Sequence, residues 1–160
     1  MAKRDDYLTP NERFMFNAAL IAERSKDPCT QVGSVIVNND QRIVAEGYNG
    51  MCIGISDDLG LWGKGNPDPM ENKYMYVVHA EANAITRADM DCTGFTMYCT
   101  HFPCHECAKL IIQKRIKKVV YNKEWGAEKD TGMVSRFLLE KCGVEVEKYE
   151  GRMSCNLSLS

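Results

Sequence analysis

Hydrophobic residues near the start of the chain recur with the period of an α-helix. In residues 11–26 (NERFMFNAALIAERSK) the apolar positions fall on one stripe of a helix with about 3.6 residues per turn. That stripe consists of Phe14, Ala18, Ile21 and Ala22. Thr9-Pro10 precedes the segment, and proline is well tolerated in a first helical turn. The pattern therefore predicts an amphipathic helix over residues 11–26.

Two short runs rich in β-branched residues follow this helix. Residues 32–37 (VGSVIV) and 42–46 (RIVAE) are typical of strands. The four residues between them, 38–41 (NNDQ), are typical of a turn. The pattern predicts an antiparallel hairpin.

Residues 47–78 show no sustained hydrophobic period and contain many glycines. A segment of this length inside a compact domain is usually functional or disordered. We interpret it as a packed functional loop because it carries large apolar residues. These are Met51, Ile53, Ile55, Leu59, Leu61 and Trp62.

Beyond residue 78, helical and strand patterns alternate. The predicted helices cover residues 80–88, 104–115 and 133–142, and the predicted strands cover residues 95–99, 118–121 and 144–147. Gly143 stands where a glycine commonly ends a helix. Such alternation is typical of a sheet with parallel neighbours and helices on its faces. Together with the hairpin, it predicts an α/β fold with three α/β/α layers around a mixed five-stranded sheet.

Length and composition indicate one ordered domain. The chain has 160 residues, of which 44% are hydrophobic and 26% charged, and this balance excludes a wholly disordered or fibrous protein. We expect a single domain over residues 1–149. The tail, residues 150–160, is polar and small, and we assign no structure to it.

Charge and the N-terminal segment narrow the choice of compartment and partner. No apolar run approaches the roughly 18–20 residues that cross a bilayer, and MAKRDDYLTP lacks the apolar stretch of a secretory signal. We therefore expect a cytoplasmic protein with no membrane partner. Its eight cysteines then favour free thiols and metal ligands over disulfides. The net charge of −2 argues against a nucleic-acid partner.

Two short motifs carry the candidate chemistry, each at a predicted helix start. The first is His79-Ala80-Glu81, and the second is Pro103-Cys104-His105-Glu106-Cys107. Cysteines three residues apart share one face of a helix, and side chains lean toward the helix N-terminus. One imidazole and two thiolates would occupy three of the four positions around zinc and leave the fourth for water. A carboxylate beside the metal, as Glu81 would be, can take the proton of that water.

Each motif alone has a simpler interpretation. A Cys-x-x-Cys pair also suits a redox centre or two packed thiols, and His-x-Glu also suits an exposed helix start. His101 and His105 are alternative imidazole ligands, although His105 should point away from the face that the cysteines share. A closed structural zinc site needs a fourth protein ligand, and no further residue has suitable spacing.

The chain resembles the deoxycytidylate (dCMP) deaminases of the zinc-dependent cytidine deaminase superfamily, whose signature is His-x-Glu followed by Pro-Cys-x-x-Cys. The resemblance extends over about residues 3–113 and implies a cytidine deaminase-like fold. The matching stretches are 3–8 (KRDDYL), 23–28 (ERSKDP), 31–33 (QVG), 47–51 (GYNGM), 56–59 (SDDL), 76–85 (YVVHAEANAI) and 102–113 (FPCHECAKLIIQ).

The resemblance implies a reaction and a cofactor. One Zn²⁺ per subunit would be held by His79, Cys104 and Cys107. The implied reaction is hydrolytic deamination of dCMP to dUMP and ammonia through a zinc-bound hydroxide, with Glu81 as the proton shuttle. The dUMP would supply thymidylate synthesis.

The resemblance also implies residues that contact the nucleotide substrate. Asn49 would hold the deoxyribose and base, or else be a turn asparagine with a positive φ. Ser25 and Lys26 would bind the phosphate, or else form a solvated helix end. Phe102 would pack on the base or fill the core. Trp125 stands where related proteins tend to have tyrosine, and it can stack on a pyrimidine without offering a hydroxyl.

Regulation and assembly are implied in the same way. Related enzymes are commonly hexamers that dCTP activates and dTTP inhibits. We place the effector in the segment 47–78, with Gly47 and Gly50 as contacts because a glycine backbone lets phosphates approach closely. A Mg²⁺ ion accompanying the regulatory nucleotide is left open, and so is a purely structural loop.

Other substrates of the same chemistry also remain open. They are dCTP in addition to dCMP, a modified-cytosine nucleotide, a free nucleoside, and a base in tRNA or single-stranded DNA.

Overall fold

The computed structural model describes residues 1, 3–126, 130–152 and 154, and its first helix, α1, spans Pro10–Ala22. A capping box starts this helix: the Glu12 amide donates to Thr9 Oγ1 (3.3 Å), and the Thr9 amide donates to the Glu12 carboxylate (2.7 Å). The helix ends four residues before the predicted boundary. There the Ser25 hydroxyl donates to the Asn49 carbonyl (2.8 Å), which draws the chain toward the sheet.

Within the part of the chain that the structure describes, seven strands form two sheets. The main sheet has the order β2-β1-β5-β6-β7; β1 is antiparallel to β2 and β5, whereas β5, β6 and β7 run parallel. Its strands are β1 (Gly33–Val37), β2 (Ile43–Tyr48), β5 (Thr96–His101), β6 (Lys118–Lys123) and β7 (Glu145–Lys148). The predicted hairpin and the mixed five-stranded sheet are therefore confirmed.

Two clusters of buried side chains lie on opposite faces of the main sheet. Val35 and Val37 pack with Phe14 of α1, whereas Ile36, between them, packs in a cluster with Ala84. Successive strand residues point to opposite faces, so α1 covers one face alone. The other face carries α2 (Ala80–Arg87), α3 (His105–Gln113) and α4 (Asp130–Lys141). This arrangement confirms the three-layer α/β/α prediction.

The segment 47–78 contains more local structure than its sequence suggests. β3 (Gly50–Met51) pairs antiparallel with β4 (Val77–Val78) and closes the segment at its base. Three 3₁₀ turns lie between them, at Asp57–Leu59, Pro69–Glu71 and Lys73–Met75.

The prediction that this segment packs its apolar residues is only partly correct. Ile53 and Leu59 are exposed, while Leu61 and Trp62 are half-buried. Leu59 lies in a single 3₁₀ turn, which is too short to build a continuous apolar face, and Ile53 lies outside the three turns.

The remaining boundaries differ from prediction by a few residues. β5 and β6 each end two residues later than predicted. α3 ends at Gln113, two residues early, because Arg115 adopts a φ of 61°, which is incompatible with a continuing helix.

The described part of the predicted tail has no helix or strand, but Arg152 is anchored by its Nε to the Glu12 carboxylate (3.1 Å). Residues 153 and 155–160 lie outside the described residues. Among the helices of the described residues, none is long and apolar enough to cross a membrane.

Candidate active site

Three possible metal ligands meet where two helices begin. His79 is the N-cap of α2, Cys104 is the N-cap of α3, and Cys107 follows in the first turn of α3. Nδ1 of His79 lies 3.3 Å from Sγ of Cys104 and 3.4 Å from Sγ of Cys107. All three ligand atoms lie within 4.8 Å of one another. The packing of α2 and α3 on one sheet face therefore brings the two sequence motifs together.

This geometry fits zinc. A tetrahedral Zn²⁺ with Zn–S of about 2.3 Å and Zn–N of about 2.0 Å separates its ligand atoms by roughly 3.5 Å. The donor set of two sulfurs and one imidazole nitrogen is also one that zinc prefers. Among the described residues, no second group of three such side chains brings its ligand atoms this close.

The electrostatics at the helix starts favour a charged sulfur. Hydrogen bonds from Cys107 and His79 lower the pKa of Cys104 to about 4, although burial opposes this change. The hydrogen bond to Cys104 raises the pKa of His79 to about 9. The bond to Cys104 and burial raise the pKa of Cys107 well above its ordinary value. A thiolate is the form of cysteine that binds metals, so one ligand is already in the required state.

Glu81 lies next to the three ligands but is not one of them. It is the second residue of α2 and only 4% exposed. Burial raises the pKa of its carboxyl group, and the nearby His79 opposes this increase. A buried carboxyl beside a metal site is suited to receiving a proton and passing it on.

A cavity of about 100 Å³ opens onto this group. His79, Glu81 and Cys104 form one part of its wall, and Phe102 and Trp125 form another. The cavity thus combines titratable groups with aromatic surfaces, as expected of a site that binds a flat, polar ring.

Asn49 lies in the wall of the same cavity and is buried. Its carboxamide is fixed at both ends: Nδ2 donates to the Thr30 carbonyl (2.9 Å), and Oδ1 accepts from the Val32 amide (2.8 Å). Among the described residues, the non-glycine positions with positive φ are Gln41 and Arg115. The alternative of a turn asparagine with positive φ is therefore wrong.

Phe102 fills the core, and its contact with the base stays a prediction. It is 2% exposed, meets Tyr121 edge-on with ring centroids 5.0 Å apart, and lies 4.2 Å below the Arg136 guanidinium carbon. It is therefore a core residue that also faces the cavity. Trp125 is 40% exposed and forms the outer part of the wall.

The other predicted contacts lie away from this cavity. Ser25 is bonded to the Asn49 backbone, and Lys26 forms an exposed ion pair with Asp57 (2.5 Å). A Cβ on Gly47 would lie 2.3 Å from the carbonyl oxygen of Ala80, so this glycine lets β2 approach α2 closely. Gly50 lines a second cavity.

Of the two alternative imidazoles, His101 lines this cavity and His105 does not. Neither belongs to the group of close ligand atoms. Burial and the charge of Lys123 lower the pKa of His101, which favours the neutral ring. The Nε2 of His105 lies 3.0 Å from the Glu106 carboxylate, on the outside of α3.

Two charged residues of the cavity were missed by the sequence reasoning. Asp27 and Lys73 line the cavity and form an ion pair across 46 positions of the chain. Asp27 belongs to a stretch that carries the family resemblance, and this was the one available signal. Nothing in the local pattern around Lys73 indicates a partner so far away.

The fold and the His-Cys-Cys group place the chain among the zinc-binding deaminases. A family model described as "Cytidine and deoxycytidylate deaminase zinc-binding region" matches residues 8–123. The chain belongs to this family. The predicted resemblance, the fold class and the assignment to deaminase enzymes are thereby confirmed.

Several relatives are similar over nearly the whole chain. The deoxycytidylate deaminase of Homo sapiens is 47% identical over 148 residues, which cover 92% of this chain and 83% of the relative. A probable deoxycytidylate deaminase of Drosophila melanogaster is 48% identical over 153 residues, which cover 92% of this chain and 75% of the relative.

A solved structure is similar as well. The dCMP deaminase of the cyanophage S-TIM5, in complex with dCMP and dUMP, superposes with a TM-score of 0.69 at 32% identity. The match covers 89% of this chain and 100% of that chain.

Proposed function

We propose that this protein deaminates dCMP hydrolytically to dUMP and ammonia, and so supplies dUMP for thymidylate synthesis. The observation that carries this proposal is the placement of buried Glu81 in one cavity with His79 and Cys104. The similarity to deoxycytidylate deaminases, one of them solved with dCMP and dUMP, supports the choice of substrate.

His79, Cys104 and Cys107 would hold the zinc ion. When bound, zinc would lower the pKa of a water molecule to about 7 and so make hydroxide available at neutral pH. Glu81 would accept the proton of the attacking water and deliver it to N3 of the cytosine ring. The oxygen of that water would bond to C4, and Glu81 would then take the remaining proton from the new C4 hydroxyl and give it to the exocyclic amino group. The bond from C4 to that nitrogen would break as the C4 carbonyl forms, and ammonia would leave. Burial keeps Glu81 away from bulk water and favours its protonated form between these two steps.

The cavity walls would orient the nucleotide. Phe102 and Trp125 offer apolar ring surfaces to the pyrimidine. The Asn49 carboxamide is fixed by Thr30 and Val32, but its oxygen keeps a second lone pair for a sugar hydroxyl. The phosphate contact by Ser25 and Lys26 stays a prediction, since neither residue lines this cavity.

The effector site is supported by the second cavity, of about 200 Å³. Arg24, Lys26, Gly50 and Gly54 line it together with Asp57, which pairs with Lys26, so the lining combines cationic side chains with a glycine-rich backbone. This combination suits the phosphates of dCTP or dTTP, with or without Mg²⁺. Gly47 lies outside this lining and serves the packing of α2 instead. Hexamer formation stays a prediction.

Substrate comparison tests the proposed function. The purified zinc-loaded enzyme is assayed for ammonia release from dCMP, dCTP, deoxycytidine and 5-methyl-dCMP. We expect the highest kcat/KM for dCMP. Equal values for deoxycytidine would contradict a role for the phosphate, and equal values for dCTP would show the dual specificity. Turnover of a single-stranded oligonucleotide in preference to dCMP would indicate a base deaminase acting on nucleic acid.

A further inference from the structure

A buried ion pair joins the long segment 47–78 to the loop after α1. Nζ of Lys73 lies 2.7 Å from both carboxylate oxygens of Asp27, and each side chain is only 4% exposed. Removing two charges from water is costly, and it is tolerated only where the pair is closely matched and further hydrogen bonds satisfy it. The proposed proton transfer uses neither group.

Asp27 has such further bonds, and they organise one cavity wall. Its Oδ1 accepts the amides of Cys29 (2.8 Å) and Thr30 (3.3 Å), and its Oδ2 accepts from Nδ2 of Asn49 (3.4 Å). The Thr30 carbonyl accepts a second bond from the same Asn49 amide (2.9 Å). The Asp27 carboxylate thus holds the loop to which the Asn49 side chain is bonded.

Lys73 extends this connection to another part of the cavity wall, formed by the segment 47–78. It begins the 3₁₀ turn Lys73–Met75, and its amide donates to the Gly63 carbonyl (2.9 Å). The next residue, Tyr74, lines the cavity and is half exposed. The ion pair therefore connects the wall that carries Asn49 to the wall that carries Tyr74.

We propose that Asp27 and Lys73 are positioning residues, which hold these two walls at the separation that the nucleotide requires. Neither residue belongs to the His-Cys-Cys group, and the side-chain nitrogen of Lys73 donates to Asp27 instead. The effect of the pair is therefore on substrate binding rather than on proton transfer. The proposal rests on the proposed function for the identity of the nucleotide.

The test compares Lys73→Met, Asp27→Asn/Lys73→Met and wild type. Methionine keeps the length of the lysine stem without its charge, and the double variant leaves no unpaired buried charge. Lys118→Met is the matched control, because Lys118 pairs with two carboxylates, of Glu145 and Glu147, on the sheet and away from the cavity. The readouts are KM and kcat for dCMP, zinc content and melting temperature.

We expect KM to rise about tenfold in both Lys73 variants, with kcat within about threefold of wild type and zinc content unchanged. The double variant should melt at a higher temperature than Lys73→Met and still keep the raised KM. Lys118→Met should keep the wild-type KM. A wild-type KM in the double variant would overturn the proposal, because the pair would then serve stability alone. A fall in kcat at unchanged KM would overturn it as well. If Lys73→Met does not fold, the double variant decides.

Hydrogen exchange without nucleotide separates this proposal from the choice of substrate. Loss of the Asp27–Lys73 ion pair in Lys73→Met should speed hydrogen exchange at the Cys29 and Thr30 amides, whichever cytosine compound the enzyme prefers. Unchanged exchange rates at these two amides would contradict the claim that the ion pair holds this loop in place. If wild type preferred another compound over dCMP, the proposed function would fail, and KM for that compound would still test the ion pair.

Discussion

The helix starts that carry the candidate metal ligands and the segment 47–78 both border the cavity, but they are built differently. His79, Cys104 and Cys107 lie on α2 and α3, which pack against the central sheet. Residues 47–78 form a two-stranded ribbon and three single turns. The chemical groups thus lie on rigid elements, whereas the substrate-facing wall depends on a few side-chain ties such as that of Lys73.

This difference has a functional consequence. A reacting group must keep its geometry to within a fraction of an ångström, and helices packed on a sheet provide that precision. A wall that admits and releases a nucleotide benefits from weaker local stability. Changes at the helix starts should therefore affect kcat and metal content, and changes in the long segment should affect KM and local stability.

The largest effect should come from the metal ligands. Cys107→Ala removes one of three donor atoms, and we expect zinc content near zero and activity below detection. Atomic absorption and an ammonia assay measure the two quantities. Cys142→Ala is the control, since this cysteine is exposed and lies outside the ligand group. Full activity of the Cys107→Ala protein without zinc would refute a metal-dependent site.

Glu81→Gln should have the next largest effect. The amide keeps the size of the side chain but cannot carry the proton, so kcat should fall by about 10³-fold. Zinc content should stay at the wild-type level, because Glu81 is not among the close ligand atoms. Activity measured together with metal content distinguishes these roles. Loss of zinc in this variant would identify Glu81 as a ligand rather than a proton shuttle.

The two regions also differ in how far the sequence predicts them. His79-x-Glu81 and Cys104-x-x-Cys107 are local patterns, and a helix start dictates where such side chains point. The β-branched run of β1 and the later alternation of strands and helices are likewise local patterns, so the fold class follows from them. The exact boundaries of the elements do not follow from local patterns. For example, α3 ends early, at Gln113, because Arg115 has a positive φ.

The tie between Asp27 and Lys73 has no local signature. Its partners are separated by 46 residues, and each resembles an ordinary surface charge when seen in its own segment. The exposure of Ile53 and Leu59 has the same origin, because whether an apolar residue packs in an irregular segment depends on distant contacts. Asn49 was predicted from family resemblance rather than from a period.

Acid should weaken the long segment through Asp27. Burial opposes ionisation, but hydrogen bonds from Lys73 and from the Cys29 and Thr30 amides prevail, so the pKa of Asp27 lies below its ordinary 3.8. The unfolded chain therefore takes up this proton first. The stabilisation is complete above about pH 3.8 and is lost as the pH falls through the lower folded-state pKa.

Asp27→Asn measures this contribution. At pH 7 it leaves the Lys73 ammonium buried without its counter-charge, and we expect a loss of about 3 kcal/mol in the free energy of unfolding. Below about pH 3.8 the unfolded wild-type chain takes up a proton at Asp27 before the folded protein does, so the difference between the two proteins should shrink. Urea unfolding of both proteins from pH 7 to pH 3 measures this difference in the free energy of unfolding. A difference that stays constant over this range would contradict the assignment.

Gly47→Ala should have the smallest of these effects. It tests whether the close packing of α2 against β2 holds the helix start that carries His79. The new methyl group would lie 2.3 Å from the Ala80 carbonyl oxygen and 2.4 Å from the Ala84 amide nitrogen, so α2 must shift. Overpacking of this kind costs about 2 kcal/mol, and a shift of α2 also moves His79. Gly50→Ala is the matched control for stability, because its nearest neighbour would be 3.7 Å away. Thermal melts should show a lower melting temperature for Gly47→Ala but not for Gly50→Ala. Equal melting temperatures would mean that α2 accommodates the methyl group without strain.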